Sequence, residues 1–313
     1  MIEYLVYSSR ILTNARNTSG RNNAVPGINI GSGNNAQVRA RGILNLSNSD
    51  NILDQAYQMV IESARKQIYQ LGLVQSERQE LEDLFMSRIK DFVQFLPNNQ
   101  GSVPNDNRTR GYLHSADIGD TEDVKNFLEK TFFNTENTHI GIYLWRIRDN
   151  NELINTINHE INHLFLRYRV FKNTAMQKGS DVNRVFNDVK FKTILECFGF
   201  LSGAETAIIT GGSMLDGLKL AGAGSNGDLS NIYSKASIMA QRLLLIQMTF
   251  GNKAGSSHPE FITYCQRYRF RLTYAIYDTS TFNELVQILG VDSNNDFSVT
   301  DDVLLRMIDW TEK

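Results

Sequence analysis

Apolar residues recur at helical spacing along most of the chain. Ile52, Ala56, Met59, Val60 and Ala64 open a stretch, residues 51–97, that reads as two amphipathic helices, with Ser76 and Gln79 resembling a capping box. A polar stretch holding Pro97 and Pro104 and ending near Arg110 predicts an exposed loop, and Thr121–Phe133 a further helix. The pattern then changes period. His139–Arg148, with Ile140, Ile142 and Leu144 alternating, predicts a half-buried strand. Asp149-Asn150-Asn151 turns the chain into a helix over Glu152–Tyr168. After a polar break at Gln177–Ser180, helices are expected over 181–210, Ser234–Phe250, Glu260–Tyr277 and Thr281–Leu289. There is no internal repeat and no coiled-coil heptad. The fold class expected is α+β, mainly helical.

The first 50 residues differ from the rest. They are rich in Asn, Gly and Ser, and residues 1–49 carry Arg10, Arg16, Arg21, Arg39 and Arg41 with no lysine and one acid, Glu3. Short β-like pieces stand at Tyr4–Tyr7 and Ala36–Leu46. This predicts a loop-rich extension, residues 1–50, with docking to a partner as its sharper use, since arginine makes planar contacts to carboxylate or phosphate. Residues 51–313 form the main domain, with an N-terminal part 51–150 and a helical part 151–313.

At 313 residues and 41% hydrophobic, the chain can bury one large core or two smaller ones. A net charge of −2 selects neither nucleic acid nor an anionic membrane. Two cysteines, Cys197 and Cys265, are too few for a disulfide scaffold and read as buried thiols. The opening Met1-Ile2-Glu3-Tyr4-Leu5-Val6 lacks the pattern of a signal peptide, and no apolar run reaches the roughly 20 residues that span a bilayer. The expectation is a protein made in a cytoplasm, with any delivery left to a dedicated machine.

The most specific chemistry is His159-Glu160-Ile161-Asn162-His163. Residues four apart share a helix face, so both imidazoles can reach one metal ion, and the glutamate beside them can hold a proton of a metal-bound water. At about 100° per residue, His163 falls about 40° from His159, while Leu153, Ile157, Ile161, Leu164 and Tyr168 lie between roughly 120° and 200°. The apolar stripe thus faces away from the histidines. The competing reading of the pair is a solvated polar face.

Zinc needs a third protein ligand and an open position. Glu196 and Glu205 follow His163 by 33 and 42 residues and point to opposite sides of one continuous helix. Glu196 shares its face with Lys192, Gly199 and Gly203, where glycine admits a close neighbour, and is the preferred ligand. Glu205, which shares its face with Ile194, Phe198 and Leu201, would serve if the helix breaks near Ser202-Gly203; the competing reading of either glutamate is a carboxylate paired with an Arg or Lys.

The order strand, HExxH helix and glutamate-bearing helix resembles the gluzincin type of zincin metallopeptidase. The long spacing to the glutamate is similar to that of clostridial neurotoxin light chains and some bacterial effector proteases. The resemblance implies a zincin-like fold, with His139–Arg148 as the edge strand that aligns a substrate beside the motif helix. Those families polarise the scissile carbonyl with Arg-x-x-Tyr, which matches Arg271-Leu272-Thr273-Tyr274. A thermolysin-like Glu-x-x-x-Asp is missing, because Phe200 follows Glu196 and Ile209 follows Glu205 at that spacing.

The function expected is hydrolysis of protein or peptide substrates. Zinc on His159, His163 and Glu196 would activate a water, Glu160 would act as general base, and Arg271 or Tyr274 would bind the oxyanion, with Tyr143, Tyr168 and His258 as substitutes. The rival is a structural or assembly subunit of a phage-like particle or secretion machine with a relic or structural zinc, or an injected effector carried by one. Other features carry less. Asp292–Val299 starts like a calcium loop, but Phe297 and Val303 occupy positions that need Gly and an acid. Gly27–Gly33 lacks the Lys-Ser/Thr of a phosphate loop. Cys197 has no base marked out for it, and no motif surrounds His114 or His139.

Overall fold

Alternation at Ile140 and Ile142 and the helical period that follows Asn150 produce adjacent elements in the computed structural model of the chain. The structure describes residues 52–70, 73–96, 110–115, 138–148, 150–175, 182–209, 213–255, 258–292 and 297–313. The extension 1–50 with its β-like pieces and Gly27–Gly33, the helix expected at Thr121–Phe133, the break at Gln177–Ser180 and most of the loop before Arg110 lie outside the described residues. So does the middle of the Asp292–Val299 segment. Among the described residues the architecture is mainly helical with one small mixed sheet, in line with the α+β, mainly helical class expected. Contacts divide the chain into two compact units at Asn183/Arg184.

In the N-terminal unit, helix α1 (Ile52–Gln70) is followed by α2 (Gln75–Ser87), a single turn α3 (Ile89–Phe92) and strand β1 (Val93–Leu96). Strands β2 (Gly111–Ser115) and β3 (Thr138–Tyr143) and the motif helix α4 (Asn150–Ala175) complete it. The small face of α1, with Ala56, Val60, Ala64 and Ile68 buried, packs on α4. Phe85 joins Phe92 and Phe165 at centroid distances of 5.9 and 5.4 Å in the core beneath.

Three local expectations fail here, each for a physical reason. The capping box at Ser76 and Gln79 does not form. Helix α2 starts at Gln75 behind an extended Val74, so Ser76 is already inside the first turn, where it cannot cap, and Gln79 bonds Asp83 instead. The second helix does not reach residue 97, because the β-forming Val93–Leu96 pairs in parallel with β3. The strand expected over His139–Arg148 ends at Tyr143, and Leu144–Arg146 is a 3₁₀ turn that leads into α4.

Nor is that strand an edge. The sheet order is β1-β3-β2, so β3 is central, parallel to β1 and antiparallel to β2. Among the described residues, the edge strand beside the motif helix is β2, from a segment read as the end of a loop.

The C-terminal unit is all-helical among its described residues. Residues 182–209 form two helices, α5 (Val182–Asn187) and α6 (Val189–Ile209), parted at Asp188, whose carboxylate accepts from the Lys190 N–H. Helix α6 runs unbroken through Ser202-Gly203. Then come α7 (Met214–Ala221), α8 (Ile232–Ala254), α9 (Pro259–Tyr274), α10 (Thr279–Ile288) and α11 (Asp301–Glu312). Ser213 and Asp216 build the capping box of α7, and Asn231, Asp278 and Thr300 cap α8, α10 and α11. Cys197 and Cys265 are free and buried. Among the described residues, no helix is long and apolar enough to cross a membrane.

Candidate metal centre

Along α4 the motif residues are enclosed: His159 is 6% exposed, Glu160 5% and His163 6%. The two imidazole rings stand 4.4 Å apart at an angle of 61°, and Glu160 Oε2 lies 3.7 Å from His163 Nδ1. The apolar stripe of Leu153, Ile157, Ile161, Leu164 and Tyr168 is buried as expected, but so are the faces on either side of it. The competing reading of the histidine pair as a solvated face therefore does not hold. Polar residues on those faces enter the interior because each finds a partner. Ser63 Oγ donates to Asn158 Oδ1 and Asn162 Nδ2 to Gln67 Oε1, both at 2.9 Å, and Thr156 bonds the carbonyl of Glu152.

The other side of α4 meets β2. A side chain on Gly111 would put its Cβ 2.9 Å from Thr156 Cγ2 and 3.1 Å from Glu160 Cγ, so glycine is what lets this strand lie against the glutamate. Just before it, Arg110 donates to Glu152 at 3.0 Å, and the Arg148 backbone N–H donates to the same carboxylate at 2.6 Å. Burial pushes the Glu152 carboxyl up, but hydrogen bonds from the Arg148 side chain and backbone and from Arg110 outweigh it and hold it below the ordinary value. Arg110 O also accepts from the Tyr143 N–H at 2.8 Å.

Donor atoms of His159, His163 and Glu196 all lie within 4.8 Å of one another, and Glu196 is half-buried. Zinc takes imidazole nitrogen and carboxylate oxygen at about 2.0–2.2 Å, which spaces the donors of a tetrahedron about 3.4 Å apart. Three protein donors leave the fourth position of a tetrahedron open. The donor set fits zinc.

Glu205 has a different environment. It is 3% exposed, accepts from the Tyr268 hydroxyl at 2.9 Å and pairs with Arg269. Arg271 and Tyr274 are stacked on each other, with the guanidinium 5.0 Å from the Tyr274 ring and 5.9 Å from that of Trp310. Tyr274 is 47% exposed, neither packed in the core nor part of the convergent group. Of the substitutes, Tyr143 is buried beneath the Arg146 guanidinium, and burial together with Glu77 and Glu80 pushes the Tyr168 phenol up to about 12. His258 caps α9 through its ring nitrogen. Burial pushes the Cys197 thiol up to about 12, which suits packing rather than nucleophilic attack.

Sequence reasoning passed over Ser63, Gln67, Arg110, Gly111 and Glu152. One signal was available: Asn158-His159 and Asn162-His163 repeat four residues apart, so a partner surface with the same spacing was to be sought. Nothing marked Gly111. No protein-family model, curated protein or solved structure matches the chain.

Proposed function

We propose that the chain is a zinc-dependent peptidase in which His159, His163 and Glu196 hold the ion and Glu160 is the general base. The observation that carries this reading is the burial of two imidazoles and a carboxylate on adjacent turns of one helix, next to an edge strand. Two imidazoles and the Glu196 carboxylate converge within 4.8 Å, and this donor set is what a zinc ion with an open position takes. Zinc, when bound, supplies Lewis acidity that brings the pKa of water towards about 7 and polarises a carbonyl. Glu160 takes a proton from the attacking water and passes it to the leaving nitrogen. Its neighbour Gly111 leaves the strand backbone, rather than a side chain, against the glutamate. Among the described residues β2 pairs on one side only, and an extended peptide laid along the other would add a strand through main-chain hydrogen bonds. That favours a protein or peptide substrate. The stacking of Arg271 on the half-exposed Tyr274 does not support the oxyanion role expected of them, and this reading assigns that donor to neither.

Elemental analysis of the purified protein tests the reading. One zinc per chain is expected, lost in both His159→Ala and His163→Ala, together with cleavage of a peptide library. Wild-type zinc in both variants overturns the site. Zinc without cleavage would turn the reading towards an assembly subunit with a structural ion.

A further inference from the structure

Each metal-facing histidine follows an asparagine, and each asparagine is bonded to α1. Asn158 and Asn162 are one turn apart on α4, as Ser63 and Gln67 are on α1. The two bonds, Ser63 Oγ to Asn158 Oδ1 and Asn162 Nδ2 to Gln67 Oε1, are both 2.9 Å long and form the rungs of a ladder between the helices. All four side chains are buried. The upper rung is further fixed, because Asn158 Nδ2 donates to Ile154 O at 2.9 Å and so turns its oxygen towards Ser63.

Alanine or leucine at these positions would pack two helices without the desolvation that four polar groups incur, and a neutral hydrogen bond adds only about 0.5–1.5 kcal/mol net. What the rungs add is register. One is short, serine to asparagine, and the other long, glutamine to asparagine. A slide of one turn sets Gln67 against Asn158 or Ser63 against Asn162, and rotation of α4 breaks both bonds. Successive side chains on a helix diverge by about 100°. Holding Asn158 and Asn162 towards α1 therefore fixes where His159 and His163 point.

Resting on the metal-site reading above, we propose that Ser63, Gln67, Asn158 and Asn162 are positioning residues of the metal centre. They lock the rotation and axial register of α4, so that both imidazoles are held in place before the ion arrives.

The test is zinc affinity of the metal-free full chain, measured by competition with a chromophoric chelator, beside the visible spectrum with cobalt(II). Asn162→Leu removes one rung at similar volume. It is expected to weaken zinc binding about tenfold or more, and to alter the cobalt bands, while circular dichroism shows an intact fold. The exchanged pair, Gln67→Asn with Asn162→Gln, keeps the total length of the rung and should recover most of the affinity. Ser63→Ala tests the other rung by a smaller change, and serves if Asn162→Leu fails to fold. Folded rung variants that bind zinc as tightly as the wild type, with unchanged cobalt bands, overturn this inference and leave the site standing. A wild-type chain that binds no zinc overturns both.

Discussion

Glu160 on α4 and Glu205 on α6 are both almost fully buried, and the two regions handle the buried carboxylate in opposite ways. Around Glu205 the charge is neutralised where it stands: Arg269 pairs with it and Tyr268 donates a hydrogen bond. Around Glu160 an imidazole of the same helix lies 3.7 Å away, and the backbone of Gly111 passes beside it. A carboxylate closed off by a guanidinium and a hydroxyl holds helices together. One set among histidines, beside a strand backbone, is the carboxylate proposed above to move a proton. Burial alone does not distinguish the two roles, but the partners do.

The sharpest way to break this comparison is Glu160→Gln. It should lower kcat/KM on a cleaved peptide by about 100- to 10,000-fold, the range of general acid–base catalysis, with zinc content unchanged. Full activity in this variant would remove the distinction.

Next in size is the exchange of roles between Glu196 and Glu205. Glu205→Gln leaves Arg269 buried without its counter-charge and should cost about 3–5 kcal/mol in urea unfolding, with zinc affinity kept in the folded protein. Glu196→Gln should do the reverse and lose zinc with little change in stability. Zinc loss in Glu205→Gln alone would move the ligand to that position.

A smaller effect is expected at Glu152. Its carboxyl is held below the ordinary value when folded, so the unfolded chain binds more protons in the window between the two values. The stability it contributes is present above the ordinary carboxylate range, near 4.3 as an approximate value, and is lost as pH falls through the lowered one. Glu152→Gln should therefore unfold more easily than wild type at neutral pH, and the gap should narrow in acid.

The smallest change is expected from Tyr274→Phe. The hydroxyl belongs to a half-exposed ring stacked on Arg271, so kcat should shift by no more than about twofold, as for ordinary surface substitutions. A loss of tenfold or more would restore it as an oxyanion donor.

What was legible in the sequence was local. The motif helix carries its period and its chemistry in one stretch, and the opposite directions of Glu196 and Glu205 follow from their separation. The burial of α4 around the motif was not legible, because Asn158 and Asn162 read as polar positions until partners 95 residues away are known. Strand β2 was hidden for the same reason. Gly-Tyr-Leu-His-Ser has little pattern of its own, and pairing with β3 makes it a strand. Capping failed at short range: Ser76 lies inside its helix, whereas Ser213, which follows Gly211-Gly212, caps one.

Gly141 lies directly opposite Tyr112 across the β2–β3 pair, and any side chain there would begin 2.3 Å from the tyrosine ring. The ring thus roofs the bare backbone of the central strand, and its own strand is tied down by that cover, by the pairing with β3 and by Arg110 on Glu152. In terms of local opening, β2 is a short strand that pairs, among the described residues, on one side only. Its amide protons should trade with solvent sooner than those at the centre of α4, whose opening requires disruption of the core. Opening of the sheet at β2, where Gly111 lies beside Glu160, would leave the core of α4 folded.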